Sequence, residues 1–168
     1  MITLTNPGYR LISDHGFAEV RLNLTNNQKT TIALRPFRAG EVFSEFGAKK
    51  VLRVPNYLSF QIAHNKHILI DPDFLQCINH SCDPNLFFDT TAMKVITLKP
   101  IKRGEELTWF YPSAEWEMAQ SFQCFCGSPN CLGEIKGAAY LAKNVLNHYK
   151  LNRLVQQQLH DRSNEERA

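Results

Sequence analysis

Three cysteines, Cys124, Cys126 and Cys131, stand in the string CFCGSPNC, a C-x-C followed by four residues and a further Cys. Thiolates this close can wrap one ion, because Gly127 and Pro129 permit the turn between them. A structural zinc ion takes four ligands in a tetrahedron. The cluster supplies three, so a fourth has to arrive from elsewhere in the chain. Cys77 and Cys82 are the other two thiols, and His148 is a weaker candidate. The total of five Cys is odd and unevenly spread, whereas a secreted disulfide framework favours an even, wider distribution. Unrelated reduced thiols are the alternative, but cysteines crowded into a Gly- and Pro-rich loop have no packing reason to be there.

Two further strings carry chemistry-bearing side chains. Asn79-His80-Ser81-Cys82-Asp83-Pro84-Asn85 follows the apolar pair Cys77-Ile78. By residue type alone it reads as an Asx-type turn with Pro at its corner. Gly104-Glu105-Glu106-Leu107-Thr108-Trp109-Phe110-Tyr111 reads as a strand ending in three consecutive aromatics, and aromatic strands ordinarily fill cores.

The elements that would position these strings are mostly strands. Up to about residue 33, short apolar runs alternate with polar residues and are broken at Asp14-His15-Gly16 and Asn26-Asn27, a pattern of short strands and turns. Tyr57–Ile62 and His67–Asp71 are two more strand-like runs, the second ended by Pro72 and Asp73. One internal echo stands out: LRPFRAGEVF, Leu34 to Phe43, returns 64 residues later as LKPIKRGEEL, Leu98 to Leu107. Each copy reads as strand, turn, strand, with Pro at a strand end and Gly supplying a conformation other residues resist. The two copies predict two related β units, unless they are a chance recurrence of a common turn. No long 3.6-residue apolar period occurs before residue 112. After it, SAEWEMAQ from Ser113 predicts about two helical turns. Ala138 to about His160 predicts one amphipathic helix, with Leu141, Val145, Tyr149, Val155 and Leu159 on its apolar face, and packing against the domain is its default role. The polar end, DRSNEERA, is expected to fray.

Composition bounds the rest. The chain has 168 residues, 43% hydrophobic and 21% charged, room for one ordinary domain and a short extension. A net charge of +3 is too small an excess to argue for nucleic acid, which removes the support for a zinc-ribbon nucleic-acid binder. No run approaches the roughly 20 apolar residues of a membrane span, and Met1–Pro7 does not have the pattern of a signal peptide. The expectation is a soluble, intracellular protein with neither membrane nor nucleic acid among its partners.

Taken together and in this order, NHSCDPN, GEELTWFY and CFCGSPNCLG resemble the SET-domain protein-lysine methyltransferases and their post-SET zinc segment. GEVFSEFG, from Gly40 to Gly47, resembles an early strand of the same family, and Gly16-Phe17-Ala18 loosely matches its glycine-rich entry loop. The resemblance covers roughly residues 8 to 137. It implies a mainly β (α+β) fold with short helices: a SET-type β-clip of several small sheets with a knot-like centre, a post-SET zinc loop and a C-terminal helix. The expected division is a SET domain over 1–112, a post-SET zinc segment over 113–137, and a C-terminal helix with a frayed tail over 138–168.

The resemblance also implies an activity, transfer of a methyl group from S-adenosylmethionine to a lysine of a protein substrate, histones being one candidate class. Asn79 and His80 match the pair that holds the cofactor, and Gly16, Phe17 and Tyr57 match residues beside it. Tyr111 matches the catalytic tyrosine and also borders the cofactor. Phe46, Phe88 and Trp109 match substrate-channel positions. Cys82 matches the fourth zinc ligand, beside Cys124, Cys126 and Cys131. Several positions depart from the family pattern. Phe110 replaces a common acid or amide, Trp109 a Phe or Tyr, Phe46 and Phe88 frequent tyrosines, and Gln76 a frequent Arg. No Cys precedes Cys77, although many members carry a cysteine-rich segment ahead of the domain. Fewer channel hydroxyls favour higher methylation, and a bulky Trp opposes it. A catalytically silent SET-fold binding module is the competing reading, kept open by Phe110 and by the short entry loop.

Overall fold

Asp14 accepts the Gly16 N–H on Oδ1 at 2.8 Å, and Gly16 sits at φ +80°, so the chain reverses there at no side-chain cost. The reversal joins β1 (Tyr9–Asp14) to β2 (Ala18–Asn23), and Asn27 at φ 58° helps join β2 to β3 (Lys29–Ala33), making an antiparallel meander. These are the turns the sequence predicts. The computed structural model that shows them describes residues 8–165 and 167. The segment Met1–Pro7, read above as no signal peptide, lies outside the described residues.

Next come β4 (Val42–Glu45), β5 (Gly47–Leu52), β6 (Phe60–Ala63) and β7 (Lys66–Asp71). They are followed by β8 (Asn79–His80), β9 (Leu86–Asp89), β10 (Lys94–Thr97) and β11 (Thr108–Trp109). The last strands are β12 (Phe122–Gln123) and β13 (Glu134–Ile135). They form four small sheets, ordered β1-β2-β3, β4-β10-β9-β11-β8, β5-β7-β6 and β12-β13. The run expected as a strand from Tyr57 starts only at Phe60, because the Ser59 N–H closes a turn onto the Asn56 carbonyl at 3.1 Å. The fold is therefore mainly β, with short helices and several small sheets. A core of Phe43, Phe60, Ile68, Ile70, Leu75, Phe88, Val95 and Leu107 lies between the sheets.

The internal echo is a structural repeat, and its copies grip each other. Phe37 and Ile101 exchange both backbone hydrogen bonds, at 2.9 and 3.0 Å. The Gly40 N–H donates to the Thr97 carbonyl and the Gly104 N–H to the Ala33 carbonyl, both at 2.8 Å. In each turn the Glu after the Gly accepts a backbone N–H three residues back, Arg38 to Glu41 at 2.9 Å and Lys102 to Glu105 at 3.0 Å. Every contact recurs under a shift of 64 residues, so the two units meet about a local two-fold axis.

That clasp delivers β11 to the centre. β11 lies between β8 and β9 and runs parallel to both, while residues 81–85 join those two strands around it. Ser81 N–H and Asn85 N–H donate to the carbonyls of Trp109 and Thr108, and the Asn85 side chain bonds the Glu106 carbonyl and the Thr108 N–H. This insertion is the geometry that a knot-like centre requires.

Two helical expectations are corrected. SAEWEMAQ forms no α-helix: a single 3-10 turn, Tyr111–Ser113, precedes an irregular stretch. Its backbone is claimed from outside, because Ala138 N–H donates to the Glu115 carbonyl, Ala139 N–H to that of Trp116, and Met118 N–H to that of Lys136. The single helix expected over 138–160 is three pieces: a 3-10 turn Ala138–Tyr140, α1 (Lys143–Leu146) and α2 (Arg153–Glu165). Asn152 breaks it. This residue is 2% exposed, donates through Nδ2 to the carbonyls of Phe88 and Ser113, and accepts the Thr90 N–H at 2.8 Å. Buried bonds of this kind override helix propensity. The apolar face is nevertheless real, since Leu146, Val155 and Leu159 bury against Phe110 and Ala138. The tail read as frayed continues α2 as far as Glu165.

Candidate active site

The end of β11 turns sharply into the 3-10 turn at Tyr111, and both polar ends of this tyrosine are held. Its N–H donates to His80 Nδ1 at 3.2 Å and its hydroxyl donates to the Ile78 carbonyl at 3.1 Å. Burial pushes the phenol well above its ordinary range, so it is a neutral O–H donor at physiological pH. Burial also lowers the His80 imidazole to about 4. A neutral ring that accepts on Nδ1 carries its proton on Nε2, and that nitrogen faces Cys82 Sγ at 3.4 Å. One imidazole thus joins the tyrosine turn to the cysteine cluster. Asn79, on β8, is anchored by Nδ2 to the Lys29 carbonyl at 2.9 Å and to Glu106 Oε1 at 3.0 Å.

Cys82, Cys124, Cys126 and Cys131 bring their sulfur atoms within 4.8 Å of one another. A tetrahedral ion with metal–sulfur bonds of about 2.3 Å needs sulfurs about 3.8 Å apart, so the donor set fits a zinc-type centre. The environment fits as well: both His80 Nε2 and the Leu132 N–H lie 3.4 Å from Cys82 Sγ, two donors on one sulfur, as thiolate ligands ordinarily receive. Burial pushes Cys82 up to about 11 and Cys124 higher still. Burial opposes ionisation of Cys126 too, but the backbone donors at Cys82 and Ser128, together with the Cys124 and Cys131 thiols, outweigh it and lower this thiol to about 6. Four thiolates together call for a compensating cation. Cys77, the other thiol considered as fourth ligand, is outside the cluster, and so is His148.

Tyr111 separates two cavities. The larger, about 810 Å³, is lined by Asn79, His80, Ser81, Tyr111, Phe122 and Phe125, with Glu106, Gln28 and Asn26 at its polar side. The smaller, about 40 Å³, is lined by Tyr57, Ser59, Trp109, Tyr111, Glu115 and Met118. The residues singled out from sequence therefore divide. Asn79, His80 and Tyr111 meet at the large cleft beside Cys124 and Cys126. Tyr57, expected beside the cofactor, lines the small cavity with Trp109, on the other side of Tyr111 from the large cleft. Gly16 and Phe17 line neither: Gly16 makes the β1–β2 turn, and Phe17 packs edge-on against Phe43 at 5.2 Å. Phe46 and Phe88 also line neither. Phe88 is fully buried, 4.6 Å from Trp109 and 5.8 Å from Phe46, so it supports the wall that Trp109 presents.

Sequence reasoning missed Glu106, Phe122, Phe125 and Glu115. A signal existed for Phe125, because a residue between two converging ligands is forced outward, and this ring is 91% exposed beside the cleft. None existed for Glu115, an ordinary-looking acid in a stretch that reads as an exposed helix.

Comparison with known proteins fits this architecture. A family model described as the SET domain matches residues 29–112, half of the chain. The chain belongs to the SET-domain family. Among proteins similar to this SET-domain chain, "Methyltransferase flvH" of Aspergillus flavus is 43% identical over 116 residues, 68% of this chain and 65% of that protein. "Histone-lysine N-methyltransferase, H3 lysine-36 specific" of Candida albicans is 31% identical over 112 residues, 55% of this chain and 13% of that protein. The Saccharomyces cerevisiae protein of the same description is 35% identical over 79 residues, covering 40% of the chain and 11% of its own length. The SET-domain chain thus spans just under two thirds of the first relative and a small fraction of the others. Among its described residues, no helix is long and apolar enough to cross a membrane.

Proposed function

We propose that the chain is an active methyltransferase that moves a methyl group from S-adenosylmethionine to a lysine side chain of a protein, with Zn2+ held by Cys82, Cys124, Cys126 and Cys131. The observation that carries this reading is the position of Tyr111 between a large polar and aromatic cleft and a small aromatic cavity. The large cleft has the size of a cofactor site. Its lining mixes amide and hydroxyl groups with the Phe122 and Phe125 rings, which suits a ligand with a polar amino-acid end and a flat base. S-adenosylmethionine, when bound, supplies an electrophilic methyl group.

The chain's own residues do the rest by positioning. Asn79 and the backbone around His80 and Ser81 hold the polar parts of the cofactor. The small cavity admits the tip of the substrate side chain past Trp109. A protonated amine has no lone pair, so the lysine has to give up its proton before it attacks, and burial away from water favours the neutral form at the point of transfer. The Tyr111 hydroxyl and nearby carbonyls orient it, which is a matter of alignment rather than of acid–base strength. We assign the SET domain to 1–112 and the zinc segment to 113–137, followed by C-terminal helical pieces that brace Phe110. Histone H3 is the first substrate to try, because relatives act on it, and a nuclear location would follow.

The test is labelled-methyl transfer to purified histone H3 and to a proteome extract, with titration calorimetry of the cofactor. Binding and transfer are expected, and Tyr111→Phe should lower the rate at least about 100-fold at unchanged cofactor affinity. Cofactor binding with no transfer to any protein would leave a silent binding module instead.

A further inference from the structure

We infer that Glu115 is the cation-binding residue of the small cavity, receiving the ammonium end of the incoming lysine; this rests on the methyltransferase reading above. Glu115 is 7% exposed and lines the cavity with Tyr57, Trp109 and Tyr111. One of its oxygens, Oε1, accepts the Gln61 N–H at 2.8 Å. The other has no hydrogen-bond partner among the described residues, and none of the ion pairs found there includes this carboxylate.

A purely structural role does not account for an acid at this position. Accepting one N–H from an edge of β6 needs an oxygen, and a neutral glutamine would supply it without burying a carboxylate. The neighbouring pair is built that way, since Gln61 Oε1 accepts the Trp116 N–H at 3.1 Å. What a carboxylate adds is affinity for a cation. The rest of the cavity agrees: the Trp109 and Tyr111 rings stand 4.7 Å apart, and aromatic faces attract ammonium groups. The volume, about 40 Å³, suits a chain end of ammonium size rather than a whole residue. Burial pushes the carboxyl up to about 8, so binding of a cation displaces its proton and should tighten as pH rises toward that value.

The test uses Glu115→Gln, which keeps an oxygen for the Gln61 N–H and removes the charge. The ligands are n-butylammonium, a truncated lysine side chain, and 1-butanol, of the same length without charge. Binding is followed at the indole N–H resonances of the two tryptophans, Trp109 being in the cavity wall. The parent protein is expected to bind butylammonium at least about tenfold more tightly than butanol, and the Gln variant to bring the two within about twofold. Glu115→Asp, which keeps the charge, should retain the preference and serves if the Gln variant is misfolded by melting temperature. Equal binding of butylammonium by parent and Gln variant overturns the assignment, as does a parent with no preference for the cation. With histone H3 as substrate, the Gln variant should raise KM about tenfold and leave cofactor affinity unchanged; an unchanged KM also overturns it. The readouts are separable: a parent that selects butylammonium but transfers no methyl to any protein retires lysine as the ligand together with the methyltransferase reading, and a cation site remains.

Discussion

His80 and Glu115 are both buried ionisable residues near Tyr111, and each controls something different. His80 spends both ring nitrogens, one on the Tyr111 N–H and one on Cys82 Sγ. His80→Ala should therefore weaken binding of the proposed zinc by about tenfold or more, since the donor that supports the Cys82 sulfur is lost. Competition with a chromophoric chelator measures this without any turnover. Glu115 gives a pH effect instead. Its carboxyl is raised to about 8 in the fold against 4.5 in the open chain. Below the lower value both states hold the proton and the contribution to stability is full. As pH rises toward 8 the unfolded chain releases its proton and the folded one keeps it, so that stability is lost. Melting curves of the parent and Glu115→Gln across about pH 5 to 9 should diverge in that direction, the variant gaining on the parent as pH rises and the gap levelling above the folded value. Parallel curves would mean that Glu115 ionises as freely in the fold as in the open chain.

Between residue and fold, the C-terminal elements are held by single residues that claim backbone from afar. Asn152 bonds Phe88, Thr90 and Ser113 at once, tying the start of α2 to β9 and to the turn after Tyr111. Asn152→Ala should destabilise the protein by about 2–4 kcal/mol, because several buried partners lose their bonds together; denaturant unfolding checks it. Gly137, at φ +123°, lies so close to the Trp116 carbonyl that a Cβ there would collide with backbone. Gly137→Ala should therefore lower the melting temperature, and the 113–118 stretch should lose protection in hydrogen exchange. These two positions explain what was not legible at this scale. The β1–β3 meander was readable because Gly16 and Asn27 mark local turns, and a local turn is written in adjacent residues. The 113–120 and 138–160 segments looked helical because their apolar spacing is helical, but the bonds that reshape them come from residues 18 to 64 positions away, beyond any local pattern.

At the scale of the molecule, three ordered strings sufficed to bring Asn79, His80, Tyr111 and the four cysteines together, because the fold inserts β11 between the strands flanking NHSCDPN. Glu115 stayed invisible for the complementary reason: its importance lies in the cavity that other segments close around it. The same layout predicts how the protein would respond to loss of the proposed zinc. The segment from Phe122 to Ile135 has only one two-residue strand pair, and its small core consists of Cys82, Cys124 and Cys126 with Ile135, Phe122, Leu132 and Met118. The central sheets have a separate core that includes none of the four ligands, and the C-terminal pieces have their own cluster around Phe110. A chelator should therefore loosen 122–135 while the sheets persist, because structural zinc supplies the folding energy only of what it clamps. Phe122 to Cys126 line the large cleft, so cofactor affinity should fall at least about tenfold while the far-ultraviolet dichroism changes little. Hydrogen exchange should rise in 122–135 and stay low in β9–β11. If the stripped protein, verified metal-free, bound S-adenosylmethionine as tightly as before, the clamp would not be shaping the cleft; if β9–β11 exchanged as fast as 122–135, the metal would be holding the whole fold rather than one wall of it.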